Sequence, residues 1–474
     1  MKRMFVTAVL LIAALSLAYI QNDTSYRSND VWLVQERNVR AHLEFLANDA
    51  LQGRGSGTEY ELIAAQYIAS QLRQFGIEPA GDAEANSQKT FLQAVTLRKQ
   101  TFAAAPRLNF SVDGKTTEWA HGREIVLAQA AAAEFNGPLQ KLEARDQVKS
   151  GAVVLLNASQ HLSRKGLGES IAWIVEQKPV AVLVPILPDW QQFWDRLAVK
   201  LPQLPSDTDH AVSSHSVIFL SDTAAKTLQQ SADGTLIQLK GQVGATEIYH
   251  TRNVVGELRG SDPRMSQEAV LLSAHLDHLG VHRAVAGDSI YNGADDDASG
   301  VVAVLELARI LGMGPKPKRT VYFVLFGSEE RGGYGSQHFI KNSPVPLNSI
   351  IADLQFEMIG RPDPKVPANS LWLTGFERSD LGPELAKQGA SLVADPHPEE
   401  NFFQRSDNFA LARLGVIAHT VSSYGLHQEY HQPRDDLAHI DFAHTTQAIN
   451  SMIKPVQWLI NSNFTPKWVE GLKP

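Results

Sequence analysis

From Asn253 onward the chain alternates short, nearly unbroken apolar runs with stretches of helical periodicity, and this alternation restricts the fold more than any other feature. The runs are Ala269–Ala274, Thr320–Phe326, Ile350–Phe356, Leu371–Thr374 and Val416–Ala418. Strands with one wet face alternate apolar and polar residues. Continuous apolar runs suit strands buried on both faces, as in a mostly parallel sheet covered by helices. Between the first two runs, Val301, Val304, Leu305, Ala308 and Leu311 recur on one helical face. The predicted fold class is therefore α/β: a mostly parallel mixed sheet flanked by helices, with an inserted smaller β/α domain. In such a sheet the carboxyl ends of the strands form the natural binding crevice.

Candidate metal ligands stand at those ends. His275 directly follows the first run, Glu329 and Glu330 follow the second, and Glu357 follows the third. Asp296 lies in N-G-A-D-D-D-A-S-G ahead of a helix, and His431 lies in the loop-like E-Y-H-Q-P-R-D-D. Three adjacent carboxylates repel one another, and burying them is costly unless a cation compensates. An acidic first helical turn is the alternative reading of that segment. Glu357, between Phe356 and Met358, is hard to explain as solvated surface. Neighbouring Glu329 and Glu330 suit two jobs, one on a metal and one on a proton, when their environments separate their pKa values. In His275-Leu276-Asp277 an extended backbone would turn both side chains to one side, so that Asp277 accepts the second ring N–H of His275. Two imidazoles and three carboxylates are what two zinc ions sharing one carboxylate need, and that set points to hydrolysis, of peptide bonds in particular. Each motif alone has a plain structural reading; their succession at strand ends carries the argument. His278, His282, His338, His397, His419 and His439 are assigned to surface or packing, and His427 competes with His431.

Composition narrows the setting. The 474 residues carry a net charge of −8 without charge runs or a basic stripe, which sets nucleic-acid binding aside. Cysteine is absent, so disulfides and thiolate ligands are excluded and His, Asp and Glu remain. Met1-Lys2-Arg3 before the apolar stretch Met4–Ile20 reads as a signal peptide over residues 1–20, with Ser16-Leu17-Ala18 at the cleavage site, or as an uncleaved anchor. Either reading puts the folded part in the periplasm or outside the cell, with no other membrane segment. Residues 30–104 read as an N-terminal helical part. Thr58 and Glu61 form a capping box there, and the glycine-rich 53–57 stretch is a mobile linker before it. Residues 105–247 read as the inserted domain, with strands at Gly151–Leu156, Val180–Val184 and Val217–Leu220, a helix at Ser221–Gln230, and Asp207 with His210 as surface decoration. Residues 248–474 form the catalytic domain.

With these pieces assembled, the region from about Asn253 to Asp441 resembles the catalytic domain of the co-catalytic dizinc aminopeptidases, the M28 metallopeptidase group that includes glutamate carboxypeptidases. The motifs that carry the resemblance are H-L-D-H-L-G, N-G-A-D-D-D-A-S-G-V, F-G-S-E-E-R-G-G-Y-G-S, F-E-M-I-G, R-S-D-N-F-A-L-A-R-L-G-V and Y-H-Q-P-R-D-D. The resemblance implies a zinc-exopeptidase three-layer fold, a protease-associated-like insert, two zinc ions (with other divalent metals as alternatives) and peptide substrates. It implies that Asp296 bridges the metals across a cis bond to Asp297, that His275 and Glu357 serve one metal, and that Glu330 and His431 serve the other. Glu329 is then the general base, Asp277 the orienter of His275, and Tyr430 a donor to the oxyanion. One departure stands out: the family usually carries Asp where this chain has Glu357. The expected function is a secreted or periplasmic metallo-aminopeptidase. The alternatives are a carboxypeptidase or dipeptidase on the same scaffold, a single-zinc acyltransferase like glutaminyl cyclase, and a non-catalytic peptidase-like binding protein.

Overall fold

The computed structural model describes residues 32–112, 114–142, 147–156, 164–186, 190, 194, 197–198, 201–204 and 215–474. The expected signal or anchor at 1–20 and the pair Asp207 and His210 lie outside the described residues. The chain divides into two compact units, one formed by residues up to Val95 together with His250–Pro474, the other by Thr96–Tyr249.

The first unit is built on a mixed sheet. Its strands are β1 (Glu78–Pro79), β2 (Leu92–Phe102), β3 (Val243–Leu258), β4 (Ala269–His275), β5 (Thr320–Phe326), β6 (Ile350–Phe356), β7 (Leu371–Leu373), β8 (Leu392–Ala394) and β9 (Ala418–Ser422). The order is β1-β3-β5-β4-β6-β9-β7-β8, with β2 also on β3. The chain passes between the units within β2 and returns within β3. The central four, β5-β4-β6-β9, are mutually parallel; β3 joins β5 and β7 joins β9 antiparallel. Every residue of β4 and β5 is buried, as continuous apolar runs require.

Five helices bear on the site: α1 (Glu36–Leu46), α2 (Glu59–Gln74), α3 (Gly300–Met313), α4 (Tyr334–Lys341) and α5 (Phe442–Asn461). One core joins Leu43, Ile68, Leu72, Val302, Leu305, Leu354 and Ile449; a second, on the other sheet face, joins Leu271, Val324, Phe339 and Ala418. The helical layers therefore lie on both faces. Because β4 leads to β5 on one side while β5 leads across to β6 on the other, the strand order reverses at β4. The crevice beyond the carboxyl end of β4, where His275 sits, is the switch point of the sheet.

The Val416–Ala418 run is displaced in the structure: the strand is Ala418–Ser422, four of whose five residues are polar or small yet all buried. His419 is accommodated between Ser379 Oγ (2.8 Å) and the Thr374 carbonyl (2.7 Å), so its burial leaves nothing unsatisfied.

The second unit, taken by itself, is an eight-stranded sheet with helices Arg164–Val175 and Asp222–Gln230. Its centre is the parallel set Phe135–Leu142, Val153–Leu156, Ala181–Pro185 and Ser216–Leu220. Leu139, Leu155, Leu183, Ile218 and Leu228 fill its core. Among the described residues, no helix is long and apolar enough to cross a membrane.

Candidate metal centre

The five sequence-predicted ligands come to the crevice from separate elements. His275 ends β4, Asp296 lies in the turn before α3, Glu330 follows β5, Glu357 follows β6, and His431 comes from the loop after β9. The two oxygens of Asp296 face two different imidazoles: Oδ1 is 3.1 Å from His275 Nε2 and Oδ2 is 3.2 Å from His431 Nε2. His431 Nε2 is also 3.3 Å from Glu330 Oε2. Atoms sharing a tetrahedral zinc at about 2.0–2.2 Å are about 3.3 Å apart. The buried His275 Nε2 and Glu330 Oε1 have no hydrogen-bond partner among the described residues. Spacing, donor chemistry and unsatisfied ring nitrogen together fit divalent zinc, with Asp296 between two positions. Glu357 feels the charge of His275, and its carboxylate accepts from Gln355 Nε2 at 3.1 Å.

Backbone geometry holds this set. The Asp296–Asp297 peptide bond is cis, as the resemblance implies. Asp435 accepts from the N–H of Asp295 (2.9 Å) and of Asp296 (3.0 Å). Asp297 turns away from the metal side and accepts from the N–H groups of His275, Gly300 and Met358, tying β4, α3 and β6 together. A Cβ on Gly300 would stand 2.1 Å from the Phe356 carbonyl oxygen, so this close approach of α3 to β6 admits only glycine. Ser328, Met358 and His431, at or within two residues of candidate ligand positions, all have left-handed backbone (φ 61°, 52° and 56°), a conformation that costs non-glycine residues about 1–3 kcal/mol and that the surroundings must enforce. His427, the competitor of His431, is engaged by Asp295 Oδ2 at 2.9 Å instead.

Three readings are corrected. The 53–57 stretch is a packed knot, not a mobile linker. Arg54 is 1 % exposed, and its guanidinium donates to the carbonyls of Leu46 (2.5 Å), Leu276 (3.0 Å), Asn292 (2.7 Å) and Gly293 (2.9 Å). Glu61 reaches back to the Gly57 N–H at 2.7 Å, one residue beyond the cap. Asp277 does not take the His275 ring proton: its Oδ1 is 3.8 Å from Nδ1, while its own backbone carbonyl is 3.1 Å away. The carboxylate is instead occupied by Ser56 Oγ (2.5 Å) and the Glu329 N–H (3.0 Å). His278, assigned to surface or packing, is fully buried in the centre, its Nδ1 2.8 Å from Glu330 Oε1. His278 directly follows H-L-D, and that adjacency was the one sequence signal for it.

The electrostatics separate the two neighbouring glutamates. Burial and Asp296 act to raise Glu330, but His278 and His431 bring its carboxyl down to about 2. Burial raises Glu329 well above the usual carboxylate range; His275 opposes this, and Asp407 and Glu357 reinforce it. Burial likewise lifts Glu357 to about 7. Both keep a partly exposed edge, so each is densely surrounded and still reachable by substrate. Burial would raise Asp296, but His275 and His431 hold it well below its ordinary value. Burial would lower His431, but Asp296 and Glu330 lift it to about 10. Tyr430 stacks on the His431 ring at 3.8 Å, and burial raises its hydroxyl, which keeps its proton. A small open cavity lies beside Glu357 and Tyr430, with Trp372, Phe402, Arg405 and Tyr424 among its walls.

Residues 253–456 match the sequence model of peptidase family M28. Among curated proteins, it is 32% identical over 136 residues to the probable lipoprotein aminopeptidase LpqL of Mycobacterium tuberculosis, covering 27% of this chain and 25% of that one. Aminopeptidase YwaD of Bacillus subtilis is 23% identical over 261 residues, 54% of this chain and 53% of its own. The chain thus spans from about a quarter to about half of these relatives' length. The aminopeptidase from Aneurinibacillus sp. strain AM-1 shares the fold, with a TM-score of 0.56 at 16% identity, 94% of this chain and 97% of that one. A zinc aminopeptidase from Bacillus subtilis gives 0.50 at 18% identity, 93% and 100%.

Proposed function

We propose that the chain is a zinc-dependent aminopeptidase acting with two metal ions. The observation that carries this reading is the carboxylate of Asp296 facing His275 through one oxygen and His431 through the other. His275 and Glu357 would hold one ion, Glu330 and His431 the other, with Asp296 common to both. When bound, such a pair lowers the pKa of water and polarises the scissile carbonyl.

The protein's own groups do the rest. Glu329 takes a proton from the attacking water and passes it to the leaving amine. Its backbone is fixed by the 3.0 Å bond from its N–H to Asp277. Tyr430, still protonated, donates to the developing oxyanion. The aromatic cavity beside Glu357 receives an apolar or aromatic side chain at the cleavage site. Names of relatives, the zinc aminopeptidase of Bacillus subtilis among them, support the metal and the reaction class. The apolar N-terminal stretch supports action outside the cytoplasm, and the compact unit Thr96–Tyr249 supports an insert over about 105–247.

Arg405 in the cavity wall is the feature that favours the carboxypeptidase alternative, since a guanidinium suits a terminal carboxylate. Release of free amino acid from a free and an N-acetylated peptide decides the matter, run on wild type and Glu329→Gln with bound zinc counted. Cleavage of the free peptide alone, lost in the variant with two zincs retained, is expected. Cleavage of both peptides would move the assignment to a carboxypeptidase.

A further inference from the structure

His278 is a buried titratable group beside the candidate ligands that the mechanism above leaves without a task. Its side chain is fully buried, and its backbone N–H donates to the Arg54 carbonyl at 3.2 Å. A Cβ on Gly293 would stand 2.5 Å from its Cγ, so the fold reserves room for this ring. The ring lies edge-on to His431, centroids 5.8 Å apart. Glu330 is held between the two: Oε2 faces His431 Nε2 at 3.3 Å, and Oε1 faces His278 Nδ1 at 2.8 Å.

Two roles are open to an imidazole so placed, since His278, Asp296 and Glu330 each offer an atom to one potential ion site. The distances separate them. His431 Nε2 lies 3.2 Å from Asp296 Oδ2, whereas His278 Nδ1 is 3.8 Å from the same oxygen and sits on the outer side of Glu330. We propose that His278 is a positioning residue, whose Nδ1–H grips the outer oxygen of Glu330 so that the inner one presents a single, fixed ligand atom beside His431. In the protein alone the 2.8 Å contact falls short of hydrogen-bond geometry, and both ring nitrogens of His278 and Oε1 of Glu330 have no hydrogen-bond partner among the described residues; hydrogen bonds in such sites commonly tighten when the ligand is in place. The assignment rests on the two-metal reading and adds to it a residue outside the five ligands. Partners of this kind orient ligating carboxylates, and their loss costs about 10–100-fold in metal affinity.

The test is zinc titration of the metal-stripped full chain against a competing chelator, for wild type, His278→Ala, His278→Asn and His278→Gln. Folding of each is checked by thermal melting. Asparagine carries its amide nitrogen at the same branch point as Nδ1; glutamine carries it one bond further, nearer the position of Nε2. Two zincs on the wild type are expected. One of them should bind His278→Ala and His278→Gln about 10–100-fold more weakly, and His278→Asn should restore it. Equal affinity for both zincs in wild type and His278→Ala overturns the assignment alone. So does His278→Asn binding as weakly as His278→Gln, which would mark a direct ligand or a space-filling ring. If the alanine variant does not fold, the asparagine and glutamine pair carries the comparison. A wild type holding fewer than two zincs overturns the two-metal reading and this assignment together.

Discussion

Replacing Arg54 with methionine keeps most of the side-chain volume and removes everything polar. Four carbonyl oxygens, on Leu46, Leu276, Asn292 and Gly293, then lose their charged donor. A hydrogen bond to a charged group contributes about 1.5–3 kcal/mol net, and the four share one guanidinium, so their losses do not add. The surrounding carboxylates of Asp435, Asp277 and Asp297 also lose a buried countercharge, and breaking such a set costs about 3–5 kcal/mol. The expected loss is about 4 kcal/mol, read from urea denaturation of metal-free protein. Lysine, with the charge but three donors on one point, should recover about half of it. Leu276 follows His275, and Gly293 lies three residues before Asp296. Arg54→Met should therefore also weaken zinc binding at least tenfold through ligand displacement. A loss below 1 kcal/mol with unchanged zinc affinity would refute the idea that Arg54 clamps the ligand turns.

Three further outcomes follow from the same geometry. Glu357→Asp draws the carboxylate back by about 1.5 Å, one carbon–carbon bond, away from Gln355 Nε2. Zinc titration should show one weakened site, on the His275 side, with the Glu330–His431 site unaffected. Tyr430→Phe removes a donor meant for the transition state. It should cut kcat by about 10²–10³ with little change in KM, and equal losses in KM alone would assign the hydroxyl to substrate binding. Asp353 is fully buried, bonded by Ser273 Oγ through one oxygen only, and burial raises it to about 7. The folded state then keeps a proton that the unfolded chain has lost between about pH 4 and 7, so the wild type loses stability as pH rises through that window, by about 4 kcal/mol at most. Asp353→Asn has no such dependence, so its Tm relative to wild type should climb from pH 5 to 8; a constant difference would disprove a buried, protonated Asp353.

The central strands and the gathering of five candidate ligands at their ends were legible because one constraint wrote both. A parallel strand buried on two faces spells itself as an apolar run, and the polar residue that ends it marks the crevice. Where buried polar residues satisfy one another, that spelling fails. The strand Ala418–Ser422 was displaced in the sequence reading because His419 and Thr420 look like loop residues until Ser379 and Thr374 are seen beside them. Arg54 was obscured by its glycines, which suggest mobility, while three of its four partners lie more than two hundred residues away in the chain. Asp277 shows a subtler limit: its spacing from His275 was correct for one face, but Ser56 and the Glu329 amide, from distant segments, claim the carboxylate.

The five proposed ligands come from five separate stretches, and no two of them are near neighbours in the chain. Close pairs such as His275–His278 and His427–His431 offer an unfolded chain two donors each, short of either proposed set. Gathering even three ligands from it would mean closing long loops at full entropic cost. On the two-metal reading, bound ions stabilise the fold by the difference between the affinity of the assembled centre and that of the unfolded chain. The apoprotein has to fold on its hydrophobic core alone, and the dependence of its melting temperature on free zinc becomes a direct measure of the affinity of the assembled centre.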